Sequence, residues 1–159
     1  MSILTEQTNY VQMLAPSADR FNGDPVSDIV SLENYNHFTG YIDCGASTAD
    51  VDLTITVQEQ TSSTGAGARN IDFRYRLRAS ADTWGTLTAA TTAGVDPSTA
   101  TTGGWTLAVE VDAAELAAGY SWLSLTVTES TDSVAVPASI HAILSEPRFA
   151  GETPLTALS

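Results

Sequence analysis

Apolar and polar residues alternate with a period of two along several segments of this chain. From Val51 to Gln58, apolar side chains occupy every second position and polar side chains fill the rest. This alternation is typical of a β-strand with one buried and one solvated face, because successive side chains point to opposite sides of a strand. The same pattern recurs in Ile71 to Arg78, Trp105 to Asp112 and Ser121 to Thr128.

Five further segments show a weaker strand pattern between turn-forming residues. They are Val11 to Leu14, Asp28 to Leu32, His37 to Cys44, Trp84 to Thr88 and Ser139 to Leu144. A helical turn is predicted after Asp112, because Glu115 stands at the third position beyond this capping residue and Gly119 can end the turn. The stretches Thr61 to Ala68 and Ala89 to Gly104 are rich in small and polar residues, and we expect both to be mobile surface loops.

These short strands predict an all-β, single-domain antiparallel sandwich of the jelly-roll type. An immunoglobulin-like sandwich is the alternative, and it is disfavoured because Cys44 is the only cysteine. A chain of 159 residues suffices for one core. Both ends lack a periodic pattern, so we predict an N-terminal arm over residues 1–10, the sandwich over residues 11–150 and a C-terminal tail over residues 151–159.

The charge of the chain narrows the classes of function. Nineteen acidic residues stand against six arginines and no lysine, which gives a formal net charge of −13. So few cations disfavour a nucleic-acid-binding protein, which needs a concentrated positive surface. There is no apolar run of 18 residues and no visible targeting signal, so we predict no membrane span.

Few residues suggest catalysis or cofactor binding. His37 and His141 lack the ligand spacing of a zinc site, and we interpret both as hydrogen-bonded strand residues. Cys44 ends the apolar side of a predicted strand, where a thiol acts as a small hydrophobic residue. The aspartates near residue 50 lack the spacing of a calcium loop. We therefore predict no catalytic, metal-binding or cofactor-binding residues and no enzymatic activity.

The arginines form the most unusual pattern. Arg74, Arg76 and Arg78 lie on the polar side of one predicted strand, and Arg69 shortly precedes it. They either pair with carboxylates of neighbouring strands or dock an acidic partner, because an arginine fork binds a carboxylate through two oriented hydrogen bonds. Trp122, on the polar side of another predicted strand, is a further interface candidate.

Several phrases of the sequence resemble the small jelly-roll head-decoration, or cement, proteins of tailed bacteriophages. The phrases run from Phe21 to Tyr35, from Val109 to Leu116, through Gly119 and Tyr120, and from Leu144 to Phe149. The alternating strands join them, so that the resemblance covers most of the chain.

The resemblance implies a non-catalytic protein that is made in the bacterial host cytoplasm and binds the major capsid protein on the outer surface of the virion head. It implies a homo-oligomer, with a trimer favoured, and neither a nucleic-acid nor a membrane partner. It also implies an N-terminal arm that reaches a neighbouring subunit. The interface candidates are then Ser2, Ile3, Leu4 and Thr5 in the arm, together with Arg74, Arg76, Arg78 and Trp122.

Two other classes of protein stay open. A carbohydrate-binding or receptor-binding sandwich, on a phage tail or an exported protein, would stack a sugar on Trp84 or Trp122. A small enzyme on a jelly-roll scaffold ranks third, because a metal site of that kind usually needs more histidines than this chain has.

Overall fold

The computed structural model describes residues 4–47, 51–78, 82–97, 103–130, 134–149 and 158, and most of its regular structure is β-strand. The strands of this part of the chain are β1 (Asn9–Ser17), β2 (Val30–Ser31), β3 (Tyr35–Cys44), β4 (Leu53–Gln60), β5 (Arg69–Ile71), β6 (Phe73–Arg78), β7 (Thr88–Ala90), β8 (Trp105–Asp112), β9 (Trp122–Glu129) and β10 (Ala138–Pro147). Helical structure includes the short helix α1 (Leu4–Gln7) and a 3₁₀ turn at Ala113–Glu115.

The strands form two antiparallel sheets with jelly-roll connections. One sheet has the order β1-β10-β3-β8-β6-β7, and the other has the order β2-β9-β4-β5. When β6 and β7 are set aside, the order is that of an eight-stranded jelly roll, in which strands distant in sequence lie side by side. The predicted all-β sandwich is thereby confirmed, and the immunoglobulin-like alternative is wrong.

The hydrophobic core lies between the facing sides of the two sheets. In β4, the side chains of Leu53, Ile55 and Val57 are buried, whereas those of Thr54 and Thr56 are partly exposed. Burying one such aliphatic side chain contributes roughly 1.5–3 kcal/mol relative to leaving it exposed. The alternation also fixes strand register, because a shift of one residue would turn the apolar side chains towards solvent.

The segment from Ile71 to Arg78, predicted as one strand, bends at Asp72 and contributes to both sheets. β5 pairs with β4 in the four-stranded sheet, and β6 pairs with β8 in the six-stranded sheet. The Asp72 carboxylate accepts a hydrogen bond of 2.9 Å from the backbone N–H of Thr92, which holds the next turn at this corner. The bend separates Arg69 from the arginines of β6, because it places them in different sheets. A strand that changes sheets in this way closes a corner of the sandwich.

Part of the predicted loop from Ala89 to Gly104 is paired with other strands. Thr88–Ala90 forms β7, and Val95 exchanges backbone hydrogen bonds of 2.9 and 3.0 Å with Ile55 of β4. Gly94 precedes this contact with φ at 86°, and a Cβ atom there would lie 2.5 Å from the Ile55 carbonyl oxygen. Glycine at position 94 therefore allows this stretch to approach the backbone of β4 closely.

Where the structure describes it, the N-terminal segment lies against the sandwich. Leu4–Gln7 forms α1, which contacts β1 and β10, and β1 begins at Asn9. Within the segment predicted as an arm, residues 4–7 thus form a helix, and Asn9 and Tyr10 belong to β1, which pairs with β10. Ser2 and Ile3 lie outside the described residues, as does the predicted tail apart from Leu158. Within the described ranges, no helix is long and apolar enough to cross a membrane.

Candidate functional site

The outer face of the six-stranded sheet brings together charged and aromatic residues from several strands. His37 of β3 lies opposite Asp112 of β8, and Arg74 of β6 lies opposite Glu110 of β8. Directly opposed residues in an antiparallel pair place their side chains on the same face. The sheet register, which joins distant segments, therefore assembles this face.

Four residues of this face and one of the adjacent 3₁₀ turn form what we term the ion-pair cluster. Its members are His37, Arg74, Glu110 and Asp112 on the strands and Glu115 in the turn. The Nε2 atom of His37 lies 2.6 Å from Glu110 Oε2, and its Nδ1 atom lies 2.6 Å from Asp112 Oδ1. Because each ring nitrogen faces a carboxylate oxygen, both nitrogens donate and the imidazole is cationic. An imidazole held in this way has no free lone pair with which to act as a base.

The ion-pair cluster shifts the titration of its own members. The hydrogen bond to Glu110, reinforced by Asp112 and opposed by partial burial, raises the pKa of His37 to about 9. The hydrogen bond from Arg74, followed by that from His37, lowers the pKa of Asp112 below its ordinary value. His37 therefore stays charged at neutral pH, and the cluster is a fixed network of charges.

Arg74 connects the cluster to the 3₁₀ turn. Its Nη2 atom lies 2.7 Å from Asp112 Oδ2 and 3.1 Å from Glu115 Oε2. The same Glu115 oxygen accepts a 2.9 Å hydrogen bond from the backbone N–H of Asp112, so the predicted capping contact is present. This network holds the end of β8, the 3₁₀ turn and β6 together.

Arg69 lies in a different environment. Its Nε and Nη2 atoms each lie 2.6 Å from Glu59 Oε1, and the Glu59 side chain is only 2% exposed. The other Glu59 oxygen accepts a 2.9 Å hydrogen bond from the backbone N–H of Ala117, and the Arg69 guanidinium lies 4.4 Å from the centre of the Tyr120 ring. This pair fastens β4 and β5 to the segment after the 3₁₀ turn, so Arg69 has a structural role.

Arg76 and Arg78 have no carboxylate partner among the residues that the structure describes. Arg76 Nη1 donates to the backbone carbonyl of Gly85 at 3.2 Å. Arg78 Nη2 donates to the hydroxyl of Thr106 at 2.8 Å, and its guanidinium carbon lies 5.4 Å from the centre of the Trp84 ring. Pairing with carboxylates of neighbouring strands thus holds for Arg69 and Arg74, whereas Arg76 and Arg78 bind neutral acceptors.

Trp84 lies in a loop over the outer face and not in the predicted strand from Trp84 to Thr88. The strand itself begins only at Thr88. The loop is held by a 2.9 Å hydrogen bond from the Gly85 N–H to the Leu77 carbonyl and by the hydrogen bond from Arg76 to the Gly85 carbonyl. A Cβ atom on Gly85 would lie 2.9 Å from that carbonyl oxygen, so glycine lets the loop approach β6. The Trp84 ring, in a residue 39% exposed, lies 6.1 Å from the ring of Tyr41.

Aromatic rings continue across the sheet from Trp84 and form what we term the aromatic stripe, made of Trp84, Tyr41, His141 and Tyr10. His141 lies directly opposite Tyr41 in the β10–β3 pair. Tyr10 stacks on His141 at 5.5 Å between ring centres, and its hydroxyl is hydrogen-bonded to His141 Nδ1 at 2.6 Å. The stripe therefore extends from β1 to the loop after β6.

The predicted interface residues do not form a single surface. Leu4 and Thr5 are exposed in α1, beside β1 and β10, at the far side of the sheet from β6 in strand order. Trp122 is partly buried on β9 of the other sheet, opposite Ser31 and Gln60. The structure thus groups the three arginines of β6 with Trp84 and leaves Trp122 apart from them.

The sequence interpretation did not foresee the partners of His37. Alternation on the predicted strand from Trp105 to Asp112 places Glu110 and Asp112 on one face, and this signal was available. The pairing of β3 with β8 joins residues about 70 positions apart, which no local pattern indicates. Trp84 was missed as a partner of Arg78 for the same reason.

No group of three or more His, Cys, Asp or Glu side chains within the described ranges is arranged to hold a metal ion. Cys44 is buried in the core, and burial raises the pKa of its thiol well above the ordinary value. The residue packs as the small hydrophobic side chain that the strand pattern indicated.

These features define the class of protein as a jelly-roll β-sandwich with a charged and aromatic outer sheet face. No protein-family model and no curated protein sequence matches the chain. Among solved structures, the chain is similar to the crystal structure of SPBc2 prophage-derived protein YomS, with a TM-score of 0.46 and 12% sequence identity over 87% of this chain and 93% of that chain. Similarity of this degree does not transfer a function.

Proposed function

We propose that this protein is a structural component of a tailed-phage virion that binds the outer surface of the capsid and stabilises the expanded head. Support comes first from the sequence phrases that resemble head-decoration proteins. The jelly-roll strand order is the fold that this resemblance implies. In this role the protein binds other subunits and catalyses no reaction.

The single observation that carries the proposal is the ion-pair cluster. Its histidine, a residue type suited to proton transfer, is bound through both ring nitrogens to two carboxylates at 2.6 Å. Arg74 binds two of the carboxylates at the same time. A network in which each group fixes another gives a stiff sheet face, which suits a protein that holds neighbouring subunits in place.

The proposed partners are the major capsid protein and further copies of this chain, with a homotrimer favoured. Many symmetric copies on one shell would bind through repeated weak contacts, so attachment does not require a deep pocket. The net charge of −13 would keep such a densely displayed protein soluble.

Immunogold electron microscopy of virus particles from the source culture, with antibody against this protein, tests the proposal. Even labelling over the heads is the expected result. Label confined to tails would favour a receptor-binding role instead, and particles without any label would contradict a virion role.

The second candidate is a carbohydrate-binding or receptor-binding module, and the exposure of Trp84 beside Tyr41 is the observation that favours it. Arg78 covers one part of the Trp84 ring, and a sugar would stack on what remains. A glycan-binding screen with Trp84→Ala as the paired variant separates the candidates. Binding of a defined glycan that is lost in this variant would favour the second candidate.

A further inference from the structure

We infer that the outer face of the six-stranded sheet, around Arg76, Arg78 and Trp84, docks a protein segment that carries carboxylates. The inference rests on the proposed function, in which this segment belongs to the coat protein. It goes further because it assigns the docking to one sheet face and to two particular cations.

The hydrogen-bonding state of the two arginines supports docking at this face. Arg76 donates to the Gly85 carbonyl and Arg78 to the Thr106 hydroxyl, which are both neutral acceptors. The Thr106 hydroxyl in turn donates to Asp43 at 2.8 Å, so Arg76 is the less compensated of the two. Neither pairs with a carboxylate in the described part of the chain, so their positive charges are less compensated than that of Arg74. A guanidinium has five N–H donors, and those not used here can bind an incoming carboxylate in an oriented way.

The distribution of charge over the molecule favours the same face. Among the described residues of β3, β6, β8 and the 3₁₀ turn, the outer face carries four cations and four carboxylates. The cations are protonated His37, Arg74, Arg76 and Arg78, and the carboxylates are Asp43, Glu110, Asp112 and Glu115. The other fifteen of the nineteen acidic residues have only three of the six arginines to balance them. An acidic partner is therefore repelled least at this face, and Arg76 and Arg78 offer it a local attraction.

The side chains around the two arginines are of the types that suit a protein interface. Binding energy in protein interfaces concentrates in Trp, Tyr and Arg side chains. Trp84 and Tyr10 at the two ends of the aromatic stripe are 39% and 62% exposed, respectively. Contacts with Arg78 and Tyr41 hold the Trp84 ring before any partner arrives, which lowers the entropy lost on binding.

The test measures binding of purified variants to phage heads assembled without this protein, by co-sedimentation over a range of protein concentrations. Arg76→Gln and Arg78→Gln each remove one cation from the face. Arg148→Gln is the matched control, because it removes one exposed cation beyond the end of β10. Thermal unfolding of every variant establishes that the sandwich is intact.

The expected result is that the wild type and Arg148→Gln bind heads equally, whereas Arg76→Gln and Arg78→Gln each bind at least about tenfold more weakly. Binding of Arg76→Gln should also depend less on salt than binding of the wild type. If Arg76→Gln is thermally less stable, Arg76→Lys decides, because it keeps the charge but not the planar guanidinium and should bind heads more strongly than Arg76→Gln and more weakly than the wild type.

Different results would contradict the proposed function and this inference. A wild-type protein that does not bind heads would contradict the proposed function and this inference with it. Wild-type binding that is unchanged in Arg76→Gln, Arg78→Gln and their double variant would overturn this inference alone. Binding that survives both arginine changes but is lost in Trp84→Ala, and is displaced by a free glycan, would make the face a sugar-binding site instead.

Discussion

Arg69 and Arg76 lie on one bent stretch of chain, and their surroundings are opposite. Arg69 binds Glu59, a carboxylate shielded from water, whereas Arg76 donates to a backbone carbonyl at the outer face of the sandwich. The bend at Asp72 causes the difference, because it sends the two residues into different sheets. The comparison shows that, within the described residues, one row of like residues can pair with a buried carboxylate at one end and bind only a neutral acceptor at the other.

Replacing Arg69 should have the largest effect on stability. We expect Arg69→Gln to lower the free energy of unfolding by about 3 kcal/mol, because it leaves the buried Glu59 carboxylate without its cation. Chemical denaturation measures this value. A loss below about 0.5 kcal/mol, as for an ordinary exposed residue, would show that the two arginines do not differ as described.

The corner that separates the two arginines offers the next test. Gly94→Ala should cost about 2 kcal/mol, because the new Cβ atom meets the Ile55 carbonyl and the backbone has a positive φ. Gly23→Ala is the matched control, since Gly23 also has a positive φ but no atom within 4 Å of its Cβ position. If both variants lose the same free energy of unfolding in chemical denaturation, the close approach of Gly94 to the Ile55 carbonyl does not contribute to stability.

The ion-pair cluster should make stability depend on pH. The pKa of His37 is about 9 in the folded protein and 6.5 in its ordinary state, so the proton on His37 stabilises the fold fully below pH 6.5. That stabilisation, about 1–2 kcal/mol for a partly exposed group, should disappear as the pH rises from 6.5 through 9. Unfolding curves across this range measure it.

Two variants assign this pH dependence. His37→Gln should remove it, and His141→Gln should keep it, because His141 bonds Tyr10 and Ser139 and not a carboxylate. Stability that increases from pH 6.5 to 9 in the wild type would contradict the description of the cluster.

The smallest expected effect on stability is that of Arg76→Gln. The variant loses one hydrogen bond to a loop carbonyl, so we expect its free energy of unfolding to stay within about 0.5 kcal/mol of the wild type. A loss above 1 kcal/mol in the same denaturation assay would place Arg76 with Arg69 among the structural arginines.

The local parts of the fold could be predicted from the sequence, and the pairings could not. Alternation located β4, β8 and β9 because side-chain direction depends only on neighbouring residues. The contact between Asp112 and Glu115 was predicted for the same reason. The contact of His37 with β8 and the position of Trp84 over Tyr41 depend on which strands meet, and that is decided by packing of the whole chain.

Cryo-electron microscopy of heads that carry this protein tests the central claim most directly. We predict jelly-roll density on the outer surface of the capsid, with the face that holds Arg76, Arg78 and Trp84 directed towards the coat. Heads without such density, or density of this shape only on tails, would contradict a role in stabilising the capsid.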